Sequence, residues 1–366
     1  MGSRSRALGM ICAATLALAT TTLPASATGG PTTITDGIPM PLTVDNGPRG
    51  KIYVTGAVQT SPVDITGYLY QVGAGGKKTV LETYPGELTG VSVWGHDVYY
   101  IQTGAGGSHV VKRSPDGRKR IVSDDFIAYE AQRNPDRNVT YGILGLTDEC
   151  KAQVEAAVPP GIPLVEYKGI VESHAYQMSV YGNTAFVADA AANAILKVNL
   201  RTKRISTVAV LPPARVTIDD ALIATIANVQ GIQLPSCISG HDWLAESVPT
   251  DVKMWLDGRL YVSTLGGILG ELLPVGGVHK VDPWSGRSKQ LATGYIGATG
   301  LDVSLRGDVY VSELFGSQVT VLRRGAKKPT FVLQANMPAD VEVDGRQLLV
   351  TTNVFENGTL IRHRIY

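Results

Sequence analysis

The sequence predicts an all-β fold: a six-bladed β-propeller of four-stranded antiparallel blades, with loop insertions capping one face. Three observations predict it. Similar segments recur at roughly 40–50-residue spacing, each carries short period-two runs parted by Gly, Asp or Asn turns, and no helical segment stands between most of them.

The copies follow in order. Residues 41–83 (PLTVDNGPRGKIYVTG onward) open the array, and 88–122 (LTGVSVWGHDVYYIQ onward) are the second copy. Residues 175–211 (AYQMSVYGNTAFVADAAANAILKVN onward) are the third. The fourth starts at 249–265 (PTDVKMWLDGRLYVSTL) and resumes at 276–294; 298–333 and 338–366 complete the set. Within a copy the first strand alternates, as in Val252-Lys253-Met254, and a turn such as LDG or RGD follows. A β-branched or aromatic run comes next (LYVST, VYVSE, FVAD), then a third strand (HKVD, LKVN, VLRR) and a Gly- or Lys-containing turn into a fourth. Such hairpin punctuation is antiparallel. The last copy has three strands, and the segment Thr32–Ile38 is expected to supply its fourth and close the ring.

The N-terminus reads differently. Arg4 and Arg6 precede a mostly apolar stretch from Ala7 to Leu18, and Ala25-Ser26-Ala27 fits a small-residue cleavage site. The expectation is an exported protein cut after Ala27, residues 28–366 forming one propeller domain, with no membrane span. Removing residues 1–27 takes two of the 33 Lys and Arg and none of the 32 acids, leaving 31 against 32 and a net charge of −1. A balance this neutral argues against nucleic acid as a partner, because phosphate binding needs a concentrated basic field. KKTV and RRGAKK read as solvated turns. Cys150 and Cys237 remain after processing and, in an oxidising compartment, are expected to pair.

Propeller connectivity sorts residues by face. Positions just before the first strand read Pro41, Gly90, Gln177, Asp251, Gly300 and Asp340; those just after the second read Gly56, Gln102, Asp189, Thr264, Glu313 and Thr352. Four carboxylates and two glutamines are thus expected at one rim. The insertions at about 125–173, 212–247 and 266–275 fall at the same rim, and long loops over a rigid scaffold commonly carry function. Asp189 and Glu313 fit a role accepting hydrogen bonds from the following loop. Asp251 and Asp340 are the stronger ligand candidates. Clustered carboxylates repel one another and invite a hard cation, so Asp251, Asp340 and Glu313 are the candidate set for Ca²⁺ or another divalent ion, although no Asp-x-Asp-x-Asp loop is present. His174 and His241 are the candidate proton-transfer residues. Glu130, Asp242 and Trp243 are expected to overlook the mouth from the cap, joining Gln177, Gln102, Asp189 and Glu313 in a binding surface. No Gly-x-Ser-x-Gly elbow, His-Glu-x-x-His or P-loop occurs, and GAGG at 73–76 and 104–107 lies between strands as hairpin loop.

AYEAQRNPDRN at 128–138, the block AYQMSVYGNTAFVADAAANAILKVN and VPTDVKMWLDGRLYVSTLGG resemble the ScyD/ScyE family of secreted proteins. That family carries, in the same order, Glu-x-x-x-Asn-Pro-Asp, Asn-Pro-Tyr-Gly, Val-x-Asp-Ala-Gly-Gly-Asn and Val-Pro-Thr. Here Ala191 and Ala192 stand for the paired glycines, and His174-Ala175-Tyr176-Gln177 for Asn-Pro-Tyr-Gly. The resemblance implies an exported accessory protein, associated in that family with biosynthesis of the pigment scytonemin, and fits an actinobacterial source. The repeat is more distantly similar to NHL-type, lactonase and streptogramin-lyase propellers, where acidic, Asn and His residues at the channel mouth hold a divalent cation. Three readings follow: a monomeric binding protein for a small molecule, glycan or peptide, a metal-assisted lactonase-, esterase- or lyase-like enzyme, and a scaffold for another secreted protein.

Overall fold

The computed structural model describes residues 30–61, 64–159 and 161–366; the expected signal peptide lies outside them. Nearly all regular structure is β, and the described residues form seven four-stranded antiparallel sheets. Five are simple meanders in chain order. Their first strands are Pro41–Asn46, Glu87–Trp94, Ala175–Tyr181, Pro249–Met254 and Ala298–Val303. The sixth sheet begins at Asp340–Asp344 and supplies three strands; its fourth is Thr32–Thr35, which pairs antiparallel with Thr359–Arg364. The N-terminal segment therefore joins the C-terminal sheet, as the three-stranded last copy requires.

The first strands stand in a circle, each packed beside the next, and the sixth returns to the first. They do not share ladders, so the circle is a ring of sheets and not a closed sheet. Second strands lie behind them and are buried on both faces. Val54, Val187, Val262, Val311 and Val350 are fully excluded from solvent, which is why these segments read as continuous β-branched runs. Burying one such side chain stabilises by about 1.5–3 kcal/mol.

The cap differs from the expected loops. Residues from the first two insertions build the seventh sheet, in the order Tyr167–Lys168, Thr140–Ile143, Asp242–Ala245, Ala214–Thr217. The insertions also carry three helices: α1 (Phe126–Arg133), whose Phe126 packs among residues of the second and third ring sheets, and α2 (Asp148–Ala157) and α3 (Asp220–Gln230), which share the apolar core of the seventh sheet. Each helix is N-capped by a side chain, from Asp125, Thr147 and Asp219 respectively. The cap has its own apolar core, in which Ile143, Val154, Ile226, Ile238 and Trp243 pack with Leu269 from the third insertion. Cys150 and Cys237 form a disulfide with a Cα–Cα distance of 6.0 Å, tying α2 to the second insertion. Among the described residues no helix is long and apolar enough to cross a membrane.

Candidate functional site

The channel inside the ring is lined by the first strands, whose inward edges carry backbone N–H groups with no ladder partner. Buried donors of this kind must be satisfied by something. Strand register sets two tiers of channel-facing positions: Thr43, Gly90, Gln177, Asp251, Gly300 and Asp340, then Asp45, Ser92, Ser179, Lys253, Asp302 and Glu342. The register corrects one expectation, since Thr43 and not Pro41 is the counterpart of Asp251.

One rule accounts for the donors. A side chain in either tier accepts from the N–H one residue further along in the next sheet. In the first tier Thr43 accepts from Val91 (3.1 Å), Asp251 from Leu301 (2.8 Å) and Asp340 from Val44 (2.8 Å). In the second tier Asp45 accepts from Val93 (2.7 Å), Ser92 from Val180 (3.1 Å), Ser179 from Met254 (3.2 Å) and Asp302 from Val343 (2.8 Å). Where the preceding sheet offers Gly, Gln or Lys, the residue supplies its own neighbour instead. Gln177 takes Met178, Asp251 takes Val252, Asp340 takes Val341 and Asp302 takes Val303. The glycines have a packing reason too: a Cβ on Gly300 would come within 2.3 Å of Asp340 Oδ1.

Asp251 and Asp340 are therefore buried staples between sheets, 0% and 1% exposed, lying below the mouth. Gln177 Nε2 adds a bond to Asp340 Oδ2 at 3.0 Å. Lys253 is the cation in the channel, bonded to Glu342 Oε2 at 3.0 Å amid Asp45, Asp251 and Asp302. Burial pushes the Asp45 carboxyl up to about 6 and Asp251 to about 7, against the pull of Lys253. Burial and then the Asp251 charge push Asp340 well above the usual carboxylate range. Glu313 is also fully engaged, accepting from Ile296 N at 2.9 Å and Thr320 Oγ1 at 2.7 Å. Asp251, Asp340 and Glu313 thus direct their oxygens at protein donors, a poor match to a shared hard cation. Among the described residues no group of three or more His, Cys, Asp or Glu side chains is arranged to hold a metal ion.

Asp189 is a loop anchor. It accepts from His174 N and Ala192 N on Oδ1 and from Ser173 Oγ on Oδ2. In doing so it fixes His174, whose Nε2 meets Glu87 Oε2 at 2.8 Å and whose ring lies 5.7 Å from that of Tyr176. The Glu87 carboxylate, with Asp189 and Glu172 beyond it, raises His174 to about 9. The same contact holds Glu87 below the usual carboxylate range despite burial. The His174 side chain is 41% exposed, so this ion pair faces solvent at the capped end, above the stapled channel.

The cap residues divide. His241 Nδ1 meets Leu144 O at 2.8 Å, Asp242 pairs with Arg215 and Thr217, and Trp243 is in the cap core; their partners are all cap residues. Gln102 is half-buried on the second strand of the second sheet. Glu130 lies in a buried cluster that joins three sequence motifs. Asn193 donates to Asp136 Oδ2 at 3.0 Å and accepts from Val248 N at 3.0 Å, which ties Asn-Pro-Asp to the Asp189–Asn193 turn and to Val-Pro-Thr. Asn193 and Val248 both have positive φ, 51° and 49°, an unusual conformation for a β-branched residue. Glu130 is 2% exposed, and burial followed by the charges of Asp189 and Asp136 raises it to about 8, against the pull of a backbone contact with Glu172.

Sequence reasoning missed Glu87, Tyr176, Lys253 and the second tier. A period-two reading one step deeper into each first strand would have found the tier.

No protein-family model matches the chain, and a search of curated proteins gives no match. Solved structures do resemble it. An oxidoreductase from Thermus thermophilus, described as a glucose dehydrogenase, aligns over 91% of this chain and 99% of its own, at 15% identity and a TM-score of 0.53. A streptogramin B lyase aligns over 90% and 94%, at 12% identity and a TM-score of 0.50. At such identities the likeness concerns the fold alone, and it places this chain with the β-propellers.

Proposed function

We propose that this chain is an exported six-bladed propeller of the ScyD/ScyE kind that binds a small polar molecule, glycan or peptide at its capped mouth. The six ring sheets are its blades and the seventh is the cap. The observation that carries the reading is the His174–Glu87 pair beside Tyr176: a charged, half-exposed group at the capped mouth, over a channel whose carboxylates are engaged in holding the ring. Support for the family comes from the meeting of its motifs, separated in sequence, at Asp136, Asn193 and Val248. With a raised His174, the mouth offers a cationic donor, an adjacent carboxylate and a phenol, suited to orienting a ligand of mixed polarity.

The test is a thermal-shift screen of polar small molecules, oligosaccharides and short peptides, repeated on His174→Ala and Glu87→Gln. Hits lost in both variants, with unchanged stability of the free protein, support the reading. Hits unaffected by either substitution place the ligand elsewhere. Turnover of a lactone and ester panel, abolished by chelator, would instead favour the metal-assisted enzyme.

A further inference from the structure

The end opposite the cap combines exposed apolar and basic turns. Neighbouring first strands run in the same direction, since Thr43 reaches Val91 while Asp45 reaches Val93, and Asp340 reaches Val44 while Glu342 reaches Asn46. All first-to-second turns therefore emerge together, and among the described residues no insertion falls at this end. On four consecutive sheets these turns present Trp94, Tyr181, Leu256 and Leu305, which are 42%, 59%, 77% and 82% exposed. They adjoin one another: the Trp94 and Tyr181 rings lie 5.0 Å apart, and Trp255, next to Leu256, donates to Ser304, next to Leu305, at 3.1 Å. A run of exposed apolar tips on neighbouring turns, rimmed by polar residues, is the kind of feature found at protein or membrane contact sites.

The same end is basic. PRGK (48–51), LRTKR (200–204) and RRGAKK (323–328) are turns of this end, and their Lys and Arg are exposed. Most of the acids there are paired: Asp97 with Lys112, Asp116 with Arg118, Asp257 with Lys280, Asp282 with Arg259 and Asp308 with Arg323, while Asp344 stands apart and Asp124 lies against Lys203. The near-zero net charge of the chain thus conceals a segregation, acids toward the capped end and a cationic surplus at the other. Between the second and third sheets a cleft of about 300 Å³ is lined by Tyr99, Lys112, Arg120, Asn183, Arg201 and Lys203. Asn183 is two residues beyond Tyr181, so the cleft borders the apolar arc.

We infer that this uncapped end docks on an anionic lipid bilayer, with Trp94, Tyr181, Leu256 and Leu305 entering the headgroup boundary and the basic cleft receiving an anionic headgroup. Basic turns alone would suit any polyanion. Exposed leucines at the tips select a bilayer, because aliphatic groups gain by leaving water there, whereas nucleic acids and acidic glycans offer them nothing. The inference is independent of what the capped mouth binds.

Cosedimentation of the exported chain with vesicles tests it. Binding is expected to vesicles of phosphatidylcholine with phosphatidylglycerol and not to phosphatidylcholine alone. It should weaken at least about tenfold in Leu256→Ser/Leu305→Ser and in Arg201→Glu/Lys203→Glu, each melting like the parent, and weaken again as salt rises. Absence of binding to anionic vesicles overturns the inference. So does binding that the leucine substitutions leave intact, or capture by heparin or DNA without capture by vesicles, which would assign the face to an acidic polymer.

Discussion

The two ends of this molecule are built from the same repeat and solve opposite problems. At the capped end carboxylates are buried and their oxygens are assigned to backbone donors, as Asp189 and Glu313 are to the incoming loops. At the uncapped end charge is left exposed on short turns, and most of the acids are paired in salt bridges. A carboxylate conspicuous in sequence is thus a poor guide to chemistry here. What matters is whether its oxygens are already held.

Substitutions that break this contrast should differ widely in cost. Among single substitutions the largest effect is expected for Lys253→Met, which removes the cation from among Asp45, Asp251, Asp302 and Glu342. Leaving buried charges unpaired costs about 3–5 kcal/mol, and urea denaturation at pH 7.5 should show it. The loss should shrink at pH 5.5, where the raised carboxyls hold protons. Next comes the cap. Cys150→Ser with Cys237→Ser should cost about 2–4 kcal/mol, felt as faster hydrogen exchange across 125–173 and 212–247 with the ring sheets still protected.

Glu130→Gln sharpens the comparison through pH. The Glu130 carboxyl is raised from 4.5 to about 8, so the folded state holds a proton that the unfolded state releases between those values. Its contribution is complete below about 4.5 and is lost as pH rises through about 8. Asp251, Asp340 and Glu342 are raised as well, so the parent should become less stable over the same window. His279, buried and lowered to about 4, opposes this on the acid side, because neutral burial is lost as pH falls from 6.5 toward 4. Maximum stability is therefore expected on the acid side of neutrality. Paired urea denaturations should show Glu130→Gln more stable than the parent at pH 8.5 and no more stable at pH 4. The smallest effect belongs to the uncapped end, where Leu256→Ser and Leu305→Ser should stay within about 0.5 kcal/mol of the parent.

Much of the fold was legible because hairpin chemistry is local. WLDGR, SLRGD and YGN announce turns whatever surrounds them, and the short last copy pointed to Thr32–Ile38 as its missing strand. The cap was not legible as structure. Its strands are two to four residues long and pair across insertions far apart in sequence, Thr140–Ile143 with Asp242–Ala245, so no local pattern announces them. The site was half legible. Gln177, Asp251 and Asp340 were assigned to the rim by repeat position and His174 by its place just before the third copy, but the direction of each carboxylate oxygen depends on the neighbouring sheet's register, which one strand's sequence does not carry. Glu87 was missed because it becomes chemical only when Asp189 orients His174 toward it.

The central claim is that Asp251 and Asp340 hold the ring together. Replacing both with Ala strips acceptors from Val252, Leu301, Val341 and Val44, and each stranded buried donor costs about 1–3 kcal/mol. The deciding measurement is the denaturation midpoint of this double variant, taken with and without Ca²⁺. The staple account predicts a loss of several kcal/mol and a parent protein whose midpoint Ca²⁺ leaves unmoved. A variant as stable as its parent, together with a parent midpoint that Ca²⁺ raises and the variant's does not, would contradict it.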